Sequence, residues 1–206
     1  EKQVIAIIEN KKVLGPEKDI KEVINAVAVY KAIKSFKYDN EKDFLNAHKI
    51  LMNGLVEKPG KYRTQSVAIV KELKLEHVAP PFQNLSFLMN DLFNYVKNTS
   101  ELTLIKSCVF HYEVEFIHPF MDGNGRMGRL LNYALLIKLG FQVKKGRIIN
   151  PSCVFYSDRD KYYSKLSAAD SLQGADVLAW SEYFLLGLKN EIEKIDSLLG
   201  QTYARD

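Results

Sequence analysis

The sequence is poor in cysteine and has no long apolar run. Its 206 residues include two cysteines, Cys108 and Cys153. Both have apolar neighbours, which favours two buried, reduced thiols over a disulfide framework. No apolar run is long enough to span a bilayer, and no secretory signal leads the chain. We therefore expect a cytoplasmic protein that does not use a membrane.

A strong excess of charge of one sign is also lacking. Lys and Arg number 29 against 25 Asp and Glu, which gives a net charge of +4. This mild excess is spread along the chain and is weak evidence for nucleic-acid binding, which we expect only through a further domain outside this chain. A small positive charge does suit a protein that holds a polyphosphate.

Apolar periodicity predicts a mostly helical protein. The length and the 47% hydrophobic content fit one globular domain over residues 1–206. Seven segments carry apolar residues at helical spacing: Ile20–Lys34, Asp43–Leu55, Leu85–Val96, Leu102–Ile117, Arg129–Leu139, Asp160–Ala169 and Val177–Ile195. The fifth is apolar nearly all round, so we expect a central buried helix with Gly140 as its C-cap. The fold class is therefore all-α, a multi-helix bundle.

One stretch departs from the helical pattern. Residues 61–78 alternate near Ser66–Val70 and again at Leu73–Leu75, which predicts a short β-hairpin that Pro80 and Pro81 end. An isolated hairpin has little stability of its own. It must therefore lean on the helices.

A polar, glycine-rich segment, residues 118–129 (HPFMDGNGRMGR), lies between two strongly apolar helices. Gly123 and Gly125 permit positive φ and let a ligand approach the backbone closely. Successive N–H groups there, with the N-terminus of the next helix, favour an anion. Arg126 and Arg129 project to one side of that helix's first turn, and guanidinium groups suit phosphate oxygens.

The same segment offers a metal ligand and a base. Asp122 supplies the hard oxygen that Mg²⁺ prefers, and His118 can act as a general base near neutral pH. Together these are the parts needed for nucleotidyl or phosphoryl transfer. The competing interpretation is a glycine-rich helix–helix turn with solvated arginines, and the combination of residue types at these spacings disfavours it.

Residues 118–129 resemble the signature of the Fic family, HxFx[DE]GNGRxxR, at every specified position. Upstream, Gly60–Thr64 followed by Val67–Val70 is similar to the family's flap, which we expect at residues 60–80. Downstream, Tyr162, Tyr163 and Asp170 lie in a segment similar to the family's YYxxLxxAN stretch, with Asp170 in place of the usual Asn. The resemblance implies the Fic fold, a helical bundle with a β-hairpin flap.

The resemblance also implies an activity: a protein adenylyltransferase that moves AMP from ATP to a Tyr, Ser or Thr hydroxyl of a target protein. In that reaction His118 deprotonates the hydroxyl, Asp122 holds Mg²⁺ and Phe120 anchors the loop. The residues that bind the ATP phosphates are Gly123, Asn124, Gly125 and Arg126, with Arg129 at the γ-phosphate.

Two further groups of residues take roles from the resemblance. Tyr163 and Asp170 are implied to lie near the adenosine. The flap residues Val67, Ala68, Ile69 and Val70 are implied to pair with the target's backbone as an added strand. The identity of the target and the oligomeric state, a homo-oligomer included, stay open.

The N-terminal residues 1–15 are a candidate inhibitory segment. Many Fic proteins carry a helix with the pattern [ST]xxxE[GN], whose glutamate pairs with the second arginine of the signature. Glu9 followed by Asn10 is similar to the end of that pattern, although Ile5 stands where Ser or Thr is usual. A carboxylate beside Arg129 would occupy the guanidinium that the γ-phosphate needs. The alternative is that Glu9 is a solvated helix-end charge.

Other functions remain open at this point. The chain could be a Fic relative that transfers phosphate or phosphocholine, or a nucleotide-responsive regulatory or interaction module without transfer activity. His111, Glu115 and His118, at i, i+4 and i+7 of one helix, could also form a zinc site. We favour a hydrogen-bonded core role for His111.

Overall fold

The computed structural model describes residues 2–9, 11–37, 39–71, 74–138, 152–170 and 176–203. Helices α1 to α9 are Lys2–Ile8, Glu17–Ala32, Glu41–Leu51, Leu85–Asn98, Thr103–Ile117, Asn124–Lys138, Ser152–Ser157, Arg159–Ala169 and Leu178–Tyr203. Strands β1, Ala68–Lys71, and β2, Lys74–Val78, lie between α3 and α4. The predicted all-α fold with a short hairpin is confirmed.

Local sequence explains where two helices begin. Asn40 precedes α3, and its side-chain oxygen accepts hydrogen bonds from the N–H groups of Lys42 and Asp43 at 2.9 and 3.3 Å. Asp158 precedes α8 and accepts from the N–H of Lys161 at 2.9 Å. Each cap satisfies donors that a helix start leaves unpaired.

Helix α5 lies between two apolar cores. On one side Phe110, Val114 and Ile117 pack with residues of α3, α4 and α6. On the other side Cys108 and Tyr112 pack with residues of α7, α8 and α9, Trp180 among them. Since α5 is apolar nearly all round, it can be buried from both directions. The turn that follows α5 is therefore anchored to a helix that is buried between the two cores.

The hairpin is antiparallel. Ala68 pairs with Val78 and Lys71 with Lys74, and the register shifts between Ile69 and Val70. The N–H of Ala79 continues the ladder to the carbonyl of Val67 at 3.2 Å. The prediction of a short β-hairpin within residues 61–78 is thus confirmed.

Three details differ from the sequence-based expectations. Helix α6 begins at Asn124, five residues before the predicted start, because the end of the signature is itself helical. The short helix α7 was not predicted, since six residues are too few to show a period. Cys153 is exposed, so the prediction that both thiols are buried is wrong for this one; Cys108 is buried, and burial raises its pKa to about 11. Gly140 lies outside the described residues.

In the described part of the chain, none of the helices combines the length and the apolar character that a bilayer span needs.

Candidate active site

The candidate base, His118, sits in an unusual backbone conformation. It follows the last residue of α5 with φ 49° and ψ 59°, and its N–H bonds to the carbonyl of Val114 at 3.0 Å. Among the described residues it is the one non-glycine with positive φ. The left-handed conformation costs a non-glycine residue about 1–2 kcal/mol. Something in the surrounding structure must hold it there.

Arg63 is the group that holds this turn. Its Nε donates to the carbonyl of His118 at 2.8 Å, and its Nη2 donates to the carbonyl of Ile117 at 3.3 Å. Its own N–H donates to the carbonyl of Pro119 at 2.9 Å. A hydrogen bond from a charged donor contributes roughly 1.5–3 kcal/mol, enough to offset the left-handed strain. No local sequence pattern marks Arg63 for this role.

The environment of His118 keeps the imidazole neutral. The ring is partly buried, and burial lowers its pKa below the usual 6.5, while the carbonyl of Glu115 opposes the shift. Nδ1 lies 3.4 Å from that carbonyl. Because a carbonyl can only accept, Nδ1 is the nitrogen that carries the hydrogen in this contact. Nε2 is then left with the lone pair that a general base needs.

The signature loop is fixed from within by Asn124 and Phe120. The side chain of Asn124, 2% exposed, accepts from the N–H of Phe120 and donates to its carbonyl, both at 2.9 Å. Its side chain is therefore committed to the loop, and only its backbone remains available to a phosphate. Phe120 itself is fully buried, as expected for an anchor.

His48 on α3 joins the loop to the base of the hairpin. Its ring stacks on Phe120 with centroids 3.6 Å apart. Nδ1 accepts from the N–H of Gly60 at 2.8 Å, so Nε2 carries the hydrogen and donates to the carbonyl of Asp122 at 3.0 Å. Burial lowers the pKa of His48 and favours this neutral form. No local sequence pattern indicates this contact, which spans 74 residues.

Glycine is required at position 123. Its φ is +92°, and a Cβ there would lie 2.8 Å from Sδ of the buried Met52. Both the backbone conformation and the space exclude a side chain. The loop thus turns into α6 with its first N–H groups at the N-terminus of a 15-residue helix, a ready position for an anion.

The candidate metal ligand and the first arginine contact each other. Asp122 is exposed, and its carboxylate accepts from the N–H of Gly123 at 2.6 Å and from Nη2 of Arg126 at 3.3 Å. Nη1 of Arg126 also lies 3.4 Å from Glu22 on α2. The guanidinium of Arg126 is therefore shared between two carboxylates.

Arg129 is in a different position. Its guanidinium lies over the ring of Tyr156, 5.6 Å from the centroid, and no carboxylate within the described residues comes within 4.0 Å of it. The predicted ion pair between Glu9 and Arg129, both of which the structure describes, is not formed. The carboxylate of Glu9 instead lies 2.6 Å from Nζ of Lys11 and is half-exposed. Within the described residues, Arg129 thus has no ion pair that an anion would have to displace.

A cavity lies beside the turn, where the adenosine was predicted. Tyr163, Asp170 and Glu115 are among the residues that line it. His77 of β2 joins them: its Nε2 donates to the carbonyl of Phe116 at 2.7 Å, and its Nδ1 lies 3.1 Å from the carboxylate of Asp170. The structure therefore brings the hairpin, α5 and the end of α8 together at this cavity.

Glu115, predicted from the sequence only as a possible zinc ligand, lies at the site. Its Oε1 is buried without a hydrogen-bond partner, and burial raises the pKa of its carboxyl to about 7, which the charge of Arg129 opposes. His111, the other proposed ligand, is fully buried and hydrogen-bonded to Tyr162 and Asn132 at 2.9 and 2.8 Å. A core role for His111 fits this geometry. Within the described residues no cluster of three or more His, Cys, Asp or Glu is arranged to bind a metal.

Comparison with protein families gives a match over the middle of the chain. A family model described as Fic/DOC matches residues 38–136. This range contains the hairpin and ends seven residues after Arg129. It therefore includes the whole signature loop.

Curated relatives and a solved structure extend the similarity. The chain is 31% identical over 169 residues to a protein adenylyltransferase Fic from Nematostella vectensis, covering 80% of this chain and 35% of that protein. It is 31% identical over 171 residues to the protein of the same name from Aedes aegypti, covering 80% and 30%. A crystal structure of a Fic family protein from Desulfovibrio desulfuricans superposes with a TM-score of 0.85 at 40% identity, covering 96% of this chain and 59% of that one. The chain thus spans about a third of the length of these curated relatives.

Proposed function

Because this chain belongs to the Fic/DOC family, we propose that it is a protein adenylyltransferase. It transfers AMP from ATP to a Tyr, Ser or Thr hydroxyl of a target protein. The observation that carries the proposal is the turn between α5 and α6. A neutral histidine base stands there next to a helix N-terminus and next to Arg129, which has no carboxylate within 4.0 Å among the described residues.

His118 acts as the general base. Nε2 takes the proton of the target hydroxyl while its oxygen forms a bond to the α-phosphorus of ATP. The bond between the α-phosphorus and the bridging oxygen breaks, and pyrophosphate leaves. Removal of the proton during attack is worth about 10²- to 10⁴-fold in rate, and the lowered pKa of His118 keeps it in the accepting form at pH 7.

The phosphates bind at the N-terminus of α6. The backbone around Gly123 and Gly125 and the positive end of the helix face them. Arg129 binds the γ-phosphate, since its guanidinium has no carboxylate to give up in the described part of the chain. Arg126 binds a phosphate only by loosening its contacts with Asp122 and Glu22.

The residues present fit a magnesium ion. Asp122 offers an exposed carboxylate at the phosphate site, and Mg²⁺ is usually held by one or two carboxylates together with substrate phosphates. When bound, the ion neutralises charge that develops on the phosphates. The nucleoside occupies the cavity lined by Tyr163 and Asp170.

The target docks along the hairpin. Strand β1 is hydrogen-bonded to β2 on one side, so the backbone of residues 67–70 can accept a further strand on the other. The hairpin begins and ends beside the turn that holds His118. A hydroxyl on the added strand is thereby brought towards the base.

Labelled ATP tests the proposed reaction. We expect protein to be labelled from ATP carrying the label on the α-phosphate and not on the γ-phosphate, and His118→Ala to abolish labelling while ATP still binds. Label from the γ-phosphate would indicate phosphate transfer. ATP binding without label from either position, in the presence of cell extract and Mg²⁺, would indicate a regulatory module instead.

A further inference from the structure

Arg63 connects two parts of the molecule that are far apart in sequence. Its side chain is 3% exposed, and a buried guanidinium must have its donors satisfied. Its acceptors fall into two groups. The carbonyls of Ile117 and His118 belong to the catalytic turn, whereas those of Gln65 and Pro80 belong to the hairpin.

The hairpin acceptors lie on both of its sides. Nη1 donates to Gln65, before β1, at 2.8 Å, and Nη2 donates to Pro80, after β2, at 2.6 Å. One planar group therefore holds the entry and the exit of the hairpin at a fixed distance. The fork geometry suits this task, since its five donors have fixed relative directions.

The carbonyls of the turn that accept hydrogen bonds from Arg63 determine how the imidazole of His118 is oriented. The carbonyl of His118 accepts a hydrogen bond from Nε at 2.8 Å, and the preceding carbonyl, that of Ile117, accepts one from Nη2 at 3.3 Å. These bonds fix the peptide planes on either side of the left-handed residue. A displacement of the hairpin that moved Arg63 would rotate these planes and turn the imidazole with them.

We propose that Arg63 is a positioning residue that couples the hairpin, where the target docks, to the orientation of His118. This inference rests on the proposed function for its consequence in catalysis, and on geometry alone for the coupling. A target strand seated on β1 would stabilise the hairpin and, through Arg63, the turn. The base would then be best aligned when a target is present.

Arg63→Lys is the variant that tests this, because it keeps the charge and cannot serve both groups of carbonyls with one fork. At saturating ATP we expect the rate of label transfer from α-labelled ATP to fall on the order of 10²-fold, the effect of a small misplacement of a catalytic group. The Kd for ATP should stay within about threefold, because the phosphate site does not include Arg63. Hydrogen exchange of the hairpin should quicken, and the NMR titration of the His118 ring should shift.

Leu188→Ala is the matched control. Leu188 is buried in the second core on α9, away from the turn, so its truncation lowers stability without touching the hairpin. An unchanged transfer rate in Leu188→Ala and a reduced one in Arg63→Lys at equal thermal stability would support the coupling. An equal fractional loss in both variants would overturn it.

Failure of the proposed function would give a different experimental result. If the wild-type protein labels nothing from α-labelled ATP, the adenylyltransferase assignment fails, while hairpin exchange and the His118 titration still report on Arg63. Arg63→Lys with wild-type exchange and a wild-type titration would overturn the coupling whatever the reaction.

Discussion

Arg129 and Glu115 approach each other across Gly125. Nη1 of Arg129 lies 3.1 Å, and Oε1 of Glu115 3.4 Å, from the point that a Cβ on this glycine would occupy. A Cβ on a second glycine, Gly128, would lie 3.0 Å from the same carboxylate oxygen. Gly125 and Gly128 therefore leave open a space in which an acid with a pKa of about 7 lies beside the proposed γ-phosphate ligand.

The raised pKa of Glu115 predicts how stability depends on pH. The folded protein binds this proton more tightly than the unfolded chain, whose carboxyl has a pKa near 4.5. The contribution of this proton to the free energy of unfolding is fully present below about pH 4.5. It is lost as pH rises towards 7, by about 3 kcal/mol in total. In Glu115→Gln this loss should be absent, which urea unfolding at pH 5 and pH 8 would measure. The exposed residue Glu182, changed to Gln, is the control; parallel pH dependences of wild type and Glu115→Gln would contradict the prediction.

The lowered pKa of His118 predicts the acid limb of the activity. Protonation removes the lone pair of the base, so the rate falls only when pH drops through the pKa of His118, which burial holds below 6.5. We expect the value of kcat/KM for label transfer to keep its pH 8 value down to about pH 7 and to fall as pH drops through the lowered pKa of His118. A decline that begins well above pH 7 would mean that another group, or an imidazole in a different environment, limits the reaction.

Glu22 should weaken ATP binding. Its carboxylate lies 3.4 Å from Nη1 of Arg126, a guanidinium that the phosphates would otherwise approach without a competitor on that side. Glu22→Gln removes the competing charge, and we expect ATP to bind about two- to tenfold more tightly by calorimetry, a modest gain because this pair is partly exposed. Asp19→Asn, on the same helix, controls for the change in net charge. Weaker binding in Glu22→Gln would show that Glu22 orients Arg126 for the phosphate.

The residues that carry the chemistry of the site could be predicted from the sequence, but the residues that hold them in place could not. The signature residues follow one another along the chain, so their chemistry could be predicted together, and the periodicity of α5 could be read from apolar residues alone. Arg63 and His48 act through contacts that span 55 and 74 residues, and no local pattern reports such distances. The side chain of Asn124 illustrates the same limit: the family resemblance implied a phosphate ligand, whereas two hydrogen bonds commit this side chain to the backbone of Phe120.

Glu9 should have little effect on the activity of this chain. The sequence predicted that its carboxylate occupies Arg129, but the structure pairs it with Lys11 at 2.6 Å, with both side chains at least half-exposed. An exposed ion pair of this kind contributes at most about 1 kcal/mol and can open readily. Since Glu9 is not at the phosphate site, Glu9→Gly should change neither the Kd for ATP nor the rate of label transfer by more than about twofold. Lys11→Ala breaks the same pair from the other side and should behave alike. A clear rise in rate with Glu9→Gly, without one in Lys11→Ala, would mean that Glu9 leaves Lys11 and reaches Arg129 when ATP is bound, and the inhibitory role suggested by the sequence would then hold.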